Sequence, residues 1–235
     1  KTNKIISDLE TKRIFIYLAI VFGIYDCLWL IAVLLPESAG EDVYAFLSFP
    51  AVFMGTPALA VFITRKNTTD KAPLKFSVKL WKNKRALLFS AFVPTAAILC
   101  GMIAFFFIFP NDLDFSGKHI SQNYGAFGAP SEIEFTIVSM LMMGLILYMI
   151  SAVCFPVWFI ALGEDIGWHG YLLPLLCKKL PVRYAVILNG ALWGLAHAPL
   201  IYSGMNYGND YAGAPVSGIA MMTLTCIVLG TWSSY

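Results

Sequence analysis

Three ionisable residues crowd together in the stretch GEDIGWHGYLL: Glu164, Asp165 and His169. A second stretch, LNGALWGLAHAPL, carries Asn189, Trp193 and His197 at four-residue spacing. Ionisable groups inside apolar spans are rare, face a bundle interior or cavity and usually mark function, so the two stretches carry the candidates for chemistry. On a helix Asp165 and His169 share a face and can hydrogen-bond, while Glu164 shares the adjacent face with Trp168. Glu164 is then free to point elsewhere while Asp165 steadies His169. Asn189, Trp193 and His197 form one polar and aromatic ridge, and Gly190 and Gly194 make a G-x-x-x-G notch that admits a neighbouring helix. Taken alone, the first group also fits a polar cap at the end of a span, and His197 also fits a buried histidine with a purely structural hydrogen bond.

The surroundings make such residues expensive. The chain of 235 residues is 59% hydrophobic and 13% charged, against roughly one-quarter charged in soluble domains. A hydrocarbon core about 30 Å thick takes roughly 20 apolar helical residues to cross. Six stretches qualify or nearly do: 14–35, 43–64, 86–109, 135–162, 184–202 and 216–232. They are too long for core strands and lack a barrel strand's alternation, so the predicted fold class is all-α, a polytopic transmembrane helix bundle. The organisation expected is an N-terminal membrane region, 1–134, with three spans, followed by a region 135–235 that holds both polar stretches.

Lysine and arginine near span ends stay on the cytoplasmic side. They gather before the first span, in the loop 65–85 and at Lys178, Lys179 and Arg183, whereas Lys118 falls on the opposite side. The N-terminus is therefore predicted to be cytoplasmic. Topology and attraction to anionic headgroups account for the basic loop, and no nucleic-acid partner is expected. The loop FSGKHISQNYGAFGAP reads as polar surface, with His119 an ordinary exposed histidine. Five cysteines, Cys27, Cys100, Cys154, Cys177 and Cys226, show no paired spacing and suggest neither disulfides nor a zinc cluster. Asp26, alone in the first span, reads as a neutral acid bonded to a neighbouring helix, with a proton relay as the alternative.

GEDIGWHGYLLP followed by LWGLAHAPL resembles the first two motifs of the CAAX protease and bacteriocin-processing family (CPBP, or Abi) of intramembrane endopeptidases. The family's first motif is a Glu-Glu pair followed by an arginine, and its second is Phe or Trp, three residues, then His. Glu164 matches the first Glu, Asp165 stands in for the second, and Trp193 and His197 match the second motif. His169 occupies the arginine's place, keeping a cation only when protonated and losing the five-donor fork. The family's later His/Asn pair has no counterpart after His197. The chain opens on Lys1 and stops at Tyr235 in IVLGTWSSY, which resembles the segment just before that last motif. The sequence is therefore expected to be truncated before a further span, leaving region 135–235 a catalytic core incomplete at its C-terminus.

The resemblance implies an intramembrane endopeptidase that hydrolyses a lipidated, hydrophobic or membrane-bound peptide by glutamate-activated water. In that reading Glu164 and His197 are catalytic, with Asp165, His169, Trp193 and Asn189 in support. The oxyanion donors would come from the absent His/Asn pair. No cofactor is implied; zinc held by Glu164, His169 and His197 is the alternative, without the H-E-x-x-H spacing of zinc peptidases. A bacterial plasma membrane is the expected location, with membrane lipid, peptide substrate and a partner membrane protein as expected contacts. The competing class is a non-hydrolytic scaffold or bacteriocin-immunity protein binding a peptide or partner membrane protein. A transporter is weaker, lacking duplicated halves.

Helix geometry sets one condition. A straight helix from Phe135 would carry Glu164 about 43 Å along, past a core of about 30 Å, while His197 would lie about 20 Å in from Arg183. The two converge only with a tilt or break, predicted at Pro156 and Gly163.

Overall fold

Apolar runs of this length satisfy their own backbone amides as helices, and every regular element described is helical. The computed structural model describes residues 2–34, 50–71, 74, 84–108, 110, 155–204, 207–208 and 210–234. The helices are α1 (Thr2–Leu34), α2 (Pro50–Asn67), α3 (Lys84–Ile108), α4 (Phe155–Gly167), α5 (Leu173–Cys177), α6 (Val182–Ala196), α7 (Ala198–Tyr202) and α8 (Val216–Ser233). A π-helical turn, Trp168–Leu172, joins α4 to α5.

Three stretches are long and apolar enough to cross a membrane: Ser7–Ile31, Val182–Tyr202 and Val216–Ser233. Phe15, Phe62 and Val216 leave two-thirds or more of their surface exposed, which suits lipid as the surrounding solvent. The protein is an integral membrane protein. The spans expected at 43–64 and 86–109 fall on α2 and α3. Most of the span expected at 135–162, the loop bearing His119, and Cys154 lie outside the described residues. The four described cysteines are free thiols.

The chain divides into two compact units, Lys1–Phe76 with Pro156–Tyr235, and Ser77–Phe155. In the second unit α3 is the described helix. The first holds both polar stretches. Its core starts from one face of α1, where Tyr17, Val21 and Tyr25 recur every four residues and are all buried. That face packs on Phe53, Ala60 and Val61 of α2 and on Trp168, Tyr171 and Leu172 of the π turn. Tyr25 stacks on Phe53 at 4.2 Å between ring centroids and donates its hydroxyl to the Phe53 carbonyl at 2.8 Å. Tyr17 meets Trp168 edge-on at 5.8 Å and Tyr171 at 5.7 Å.

Polar groups tie one end of this unit. Arg13 pairs with Asp70 at 3.4 Å, both side chains nearly buried, and Tyr171 donates to the same carboxylate at 3.5 Å. Burial and the Asp70 charge push the Tyr171 phenol up to about 12, so it stays a donor. Lys178 and Lys179 reach back to Glu10 of α1, at 2.9 and 3.7 Å. Arg13, Lys178 and Lys179, grouped on one side by the sequence, thus gather at the same end.

A tilt or break is expected at Pro156 and Gly163; the residues just before Phe155 lie outside the described ones, and at Gly163 the helix is unbroken. Gly163 is inside α4, and the departure from α geometry comes at Trp168–Leu172, where the Leu173 amide donates to the Trp168 carbonyl. Pro174, in the first turn of α5, supplies no amide and its ring opposes the α-helical position of the carbonyl four residues back, so the hydrogen-bond ladder shifts phase just before it. A second break divides the span expected at 184–202. Pro199 ends the ladder of α6, and His197 sits in the joint between α6 and α7.

Candidate functional site

Three segments supply the site: the end of α4 with the π turn, the second half of α6, and the last turn of α8. Glycines set their separations. Gly190 and Gly194 face α8 so closely that a methyl on Gly190 would sit 2.6 Å from Cα of Ile227, and one on Gly194 would strike the backbone at Thr223. The notch read from the sequence is therefore the α6–α8 seam. A second G-x-x-x-G, Gly163 and Gly167, does the same for α4 against α2: a methyl on Gly163 would strike the Met54 carbonyl, and one on Gly167 would strike Pro57 and lie 2.6 Å from the Tyr17 hydroxyl.

With these seams closed, Trp193 becomes the common neighbour of the predicted residues. The Glu164 side chain interacts with that of Trp193, although the buried Nε1 of Trp193 makes no hydrogen bond of good geometry among the described residues. The His169 ring meets Trp193 edge-on at 5.6 Å, and the His197 ring lies 6.5 Å from it. Glu164 and His197 thus both adjoin the Trp193 side chain, and no described hydrogen bond joins them directly.

The two histidines are held differently. His197 Nδ1 lies 3.0 Å from the Trp193 carbonyl oxygen; because that oxygen can only accept, Nδ1 carries a proton and Nε2 is the nitrogen left for chemistry. His169 uses both nitrogens, Nδ1 on the Asp165 carboxylate at 3.1 Å and Nε2 on the Ser233 hydroxyl at 3.0 Å. Asp165 is solvent-facing, with 66% of its side chain exposed, so it orients His169 from outside. Asn189, one turn below Trp193, is 1% exposed and its Oδ1 has no hydrogen-bond partner among the described residues.

The zinc alternative asks Glu164, His169 and His197 to converge on one ion. Among the described residues no group of three His, Cys, Asp or Glu side chains is arranged to hold a metal, and His169 is engaged at both nitrogens. Asp26, read as bonded to a neighbouring helix, is instead exposed. The physical reason is registry: the inward face of α1 is set by Tyr17, Val21 and Tyr25, and Asp26 follows Tyr25 by about 100° of helix rotation.

Four participants were not read from the sequence in these roles. Ser233 anchors His169, and nothing local announces it. Gly163 and Gly167 bracket the acidic pair in a pattern identical to the one recognised at Gly190 and Gly194. Tyr17 belongs to the i, i+4, i+8 series with Val21 and Tyr25, a signal legible in the sequence of the first span.

Residues 146–235 match a family model described as Rce1-like: Type II CAAX prenyl endopeptidase Rce1-like. The match spans α4, the π turn, and α5 to α8. No curated protein and no solved structure was found to match the chain.

Proposed function

Because residues 146–235 match the family model of the Rce1-like type II CAAX prenyl endopeptidases, we propose that the protein is an intramembrane endopeptidase acting on a lipidated, hydrophobic or membrane-bound peptide. The observation that carries this reading is the convergence of Glu164 and His197 on Trp193 within the matched segment. Glu164 is the general base. It takes a proton from a water that attacks the scissile carbonyl carbon, and returns that proton to the departing nitrogen as the C–N bond breaks. His197, its Nδ1–H fixed on the Trp193 carbonyl, presents Nε2 to the same water. Asp165 and His169 support Glu164 from the adjacent turn, and Asn189 and Trp193 line the α6 side. The proposed mechanism is metal-independent, supported by the engagement of both His169 nitrogens.

The orientation proposed is N-terminus inside, in a bacterial plasma membrane, with the site reached from the cytoplasmic leaflet. The gathering of Arg13, Lys178 and Lys179 at one end supports it.

The alternative is a non-hydrolytic scaffold or immunity protein that binds a peptide or partner membrane protein. Turnover of a quenched, prenylated peptide by the purified protein separates the two. Glu164→Gln is expected to lower kcat by about 10³-fold and His197→Ala by about 10²-fold, with thermal unfolding near that of the parent. Parental turnover in Glu164→Gln would end the glutamate mechanism.

A further inference from the structure

His169 stands between a carboxylate and a hydroxyl. Its Nδ1 lies 3.1 Å from Asp165 Oδ1 and its Nε2 lies 3.0 Å from Ser233 Oγ. A carboxylate only accepts, so the proton of the neutral ring sits on Nδ1, and Nε2 is a bare acceptor aimed at the serine. A carboxylate, an imidazole and a hydroxyl joined in that order are the parts by which a serine becomes a nucleophile, and such a set is recognised by geometry and roles rather than by sequence position. Asp165 closes α4, His169 lies in the π turn, and Ser233 ends α8, 64 residues away from His169.

Ser233 has one competing acceptor, the Gly230 carbonyl at 3.3 Å. The imidazole is the nearer of the two, and the adjacent Ser234 hydroxyl already donates to that carbonyl. The Ser233 proton therefore goes to Nε2. The oxygen is also accessible, since Ser233 is exposed. It closes a stretch long and apolar enough to cross a membrane, and Val228 and Leu229, about one turn before it, are exposed apolar residues. A long acyl chain lying along them would bring its carbonyl carbon to the edge of the apolar layer, where the serine is.

We infer that Asp165, His169 and Ser233 form a second site, a serine nucleophile that cleaves long-chain acyl esters. Ser233 Oγ attacks the acyl carbon as its proton passes to His169 Nε2. The bond from that carbon to the alkoxy oxygen breaks, the departing alcohol takes the proton from Nε2, and the acyl group remains on Ser233 as an ester. Water then attacks this ester and gives a proton to Nε2; the carboxylic acid leaves, and Nε2 returns the proton to Ser233. Asp165 holds the ring in the required tautomer. Neither Glu164 nor His197 takes part, so this activity stands or falls separately from peptide cleavage.

The test treats the purified protein in detergent with a long-chain fluorophosphonate, which modifies activated serines, and locates the adduct by mass spectrometry. Ser234, exposed but bonded to backbone, is the internal reference. Ser233 is expected to react about 10²-fold faster than Ser234, the lower range of general-base assistance. His169→Gln removes that advantage, and Asp165→Asn, at an exposed carboxylate, lowers it about tenfold or more, both with thermal unfolding near that of the parent. Nitrophenyl octanoate, an activated ester, is then hydrolysed by the parent and by Glu164→Gln at rates within about twofold, and Ser233→Ala loses that hydrolysis.

Ser233 modification and ester hydrolysis in Glu164→Gln uphold the second site, whether or not the parent cleaves peptide. Equal reaction of Ser233 and Ser234, an adduct insensitive to both His169→Gln and Asp165→Asn, or hydrolysis retained in Ser233→Ala overturns it, even where Glu164→Gln abolishes peptide cleavage and the protease reading stands.

Discussion

Gly163 and Gly167 seat α4 on α2, and Gly190 and Gly194 seat α6 on α8. The two seams use the same spacing and the same physics, backbone laid against backbone where a methyl group does not fit. They differ in what they join. The α6–α8 seam lies wholly inside the segment matched to the protease family and sets the position of Trp193 and His197. The α4–α2 seam joins that segment to a region outside the match, and brings Gly167 against Tyr17 of α1. The seam that seats the imidazole side thus lies within the matched sequence, whereas the seam that seats the carboxylate side reaches a part of the chain outside the match.

The largest effects test whether both seams are needed. Gly163→Leu and Gly190→Leu each force a branched side chain into a backbone contact, and each is expected to abolish the folded, monodisperse species seen by size-exclusion chromatography in detergent. Alanine sharpens the comparison. Gly167→Ala and Gly190→Ala are each expected to cost about 1–3 kcal/mol, read from thermal or denaturant unfolding. At equal stability loss, Gly167→Ala is expected to reduce peptide turnover more, because it displaces Tyr17 and the helix of Glu164 directly; equal activity loss in both would remove the distinction.

The tyrosines give a smaller, cleaner contrast. Tyr25→Phe deletes a buried hydrogen bond and is expected to cost about 1–3 kcal/mol, since the Phe53 carbonyl loses its partner. Tyr17→Phe deletes a hydroxyl without a described partner and is expected to leave stability unchanged or raised. Smallest is Ser233→Ala. The His169 bond it removes lies at an exposed helix end, and the expected loss is about 0.5–1.5 kcal/mol by the same unfolding measurement, with Glu164-dependent turnover largely retained.

The candidate site was legible in proportion to how local its signals are. Glu164, Asp165 and His169 stood out because charge is rare in an apolar chain, and the Asp165–His169 spacing sufficed to anticipate a hydrogen bond within one helix. The notch at Gly190 and Gly194 was read because a histidine beside it drew attention. The same notch at Gly163 and Gly167 went unread because acidic residues between the glycines suggested a helix end rather than a packing face. The departure from α geometry was less legible: Gly163 is a breaker by residue type but is held in α geometry by close packing, while Pro174 displaces the ladder at Trp168–Leu172. Ser233 gave no signal, since its role exists only when α8 lies beside the π turn.

Composition and periodicity alone determined that this chain is a membrane-embedded bundle of helices, because a backbone in hydrocarbon must satisfy its own amides whatever its neighbours. Residue type and spacing likewise marked the two polar stretches, and the resemblance of their motifs singled out Glu164 and His197 within them. Only the tertiary structure decided that Trp193 stands between them, that Asp26 faces outward, and that Tyr17 is the hydroxyl brought against α4. Those outcomes follow from which helix faces meet, and a face acquires its meaning from side chains and backbone far away in sequence.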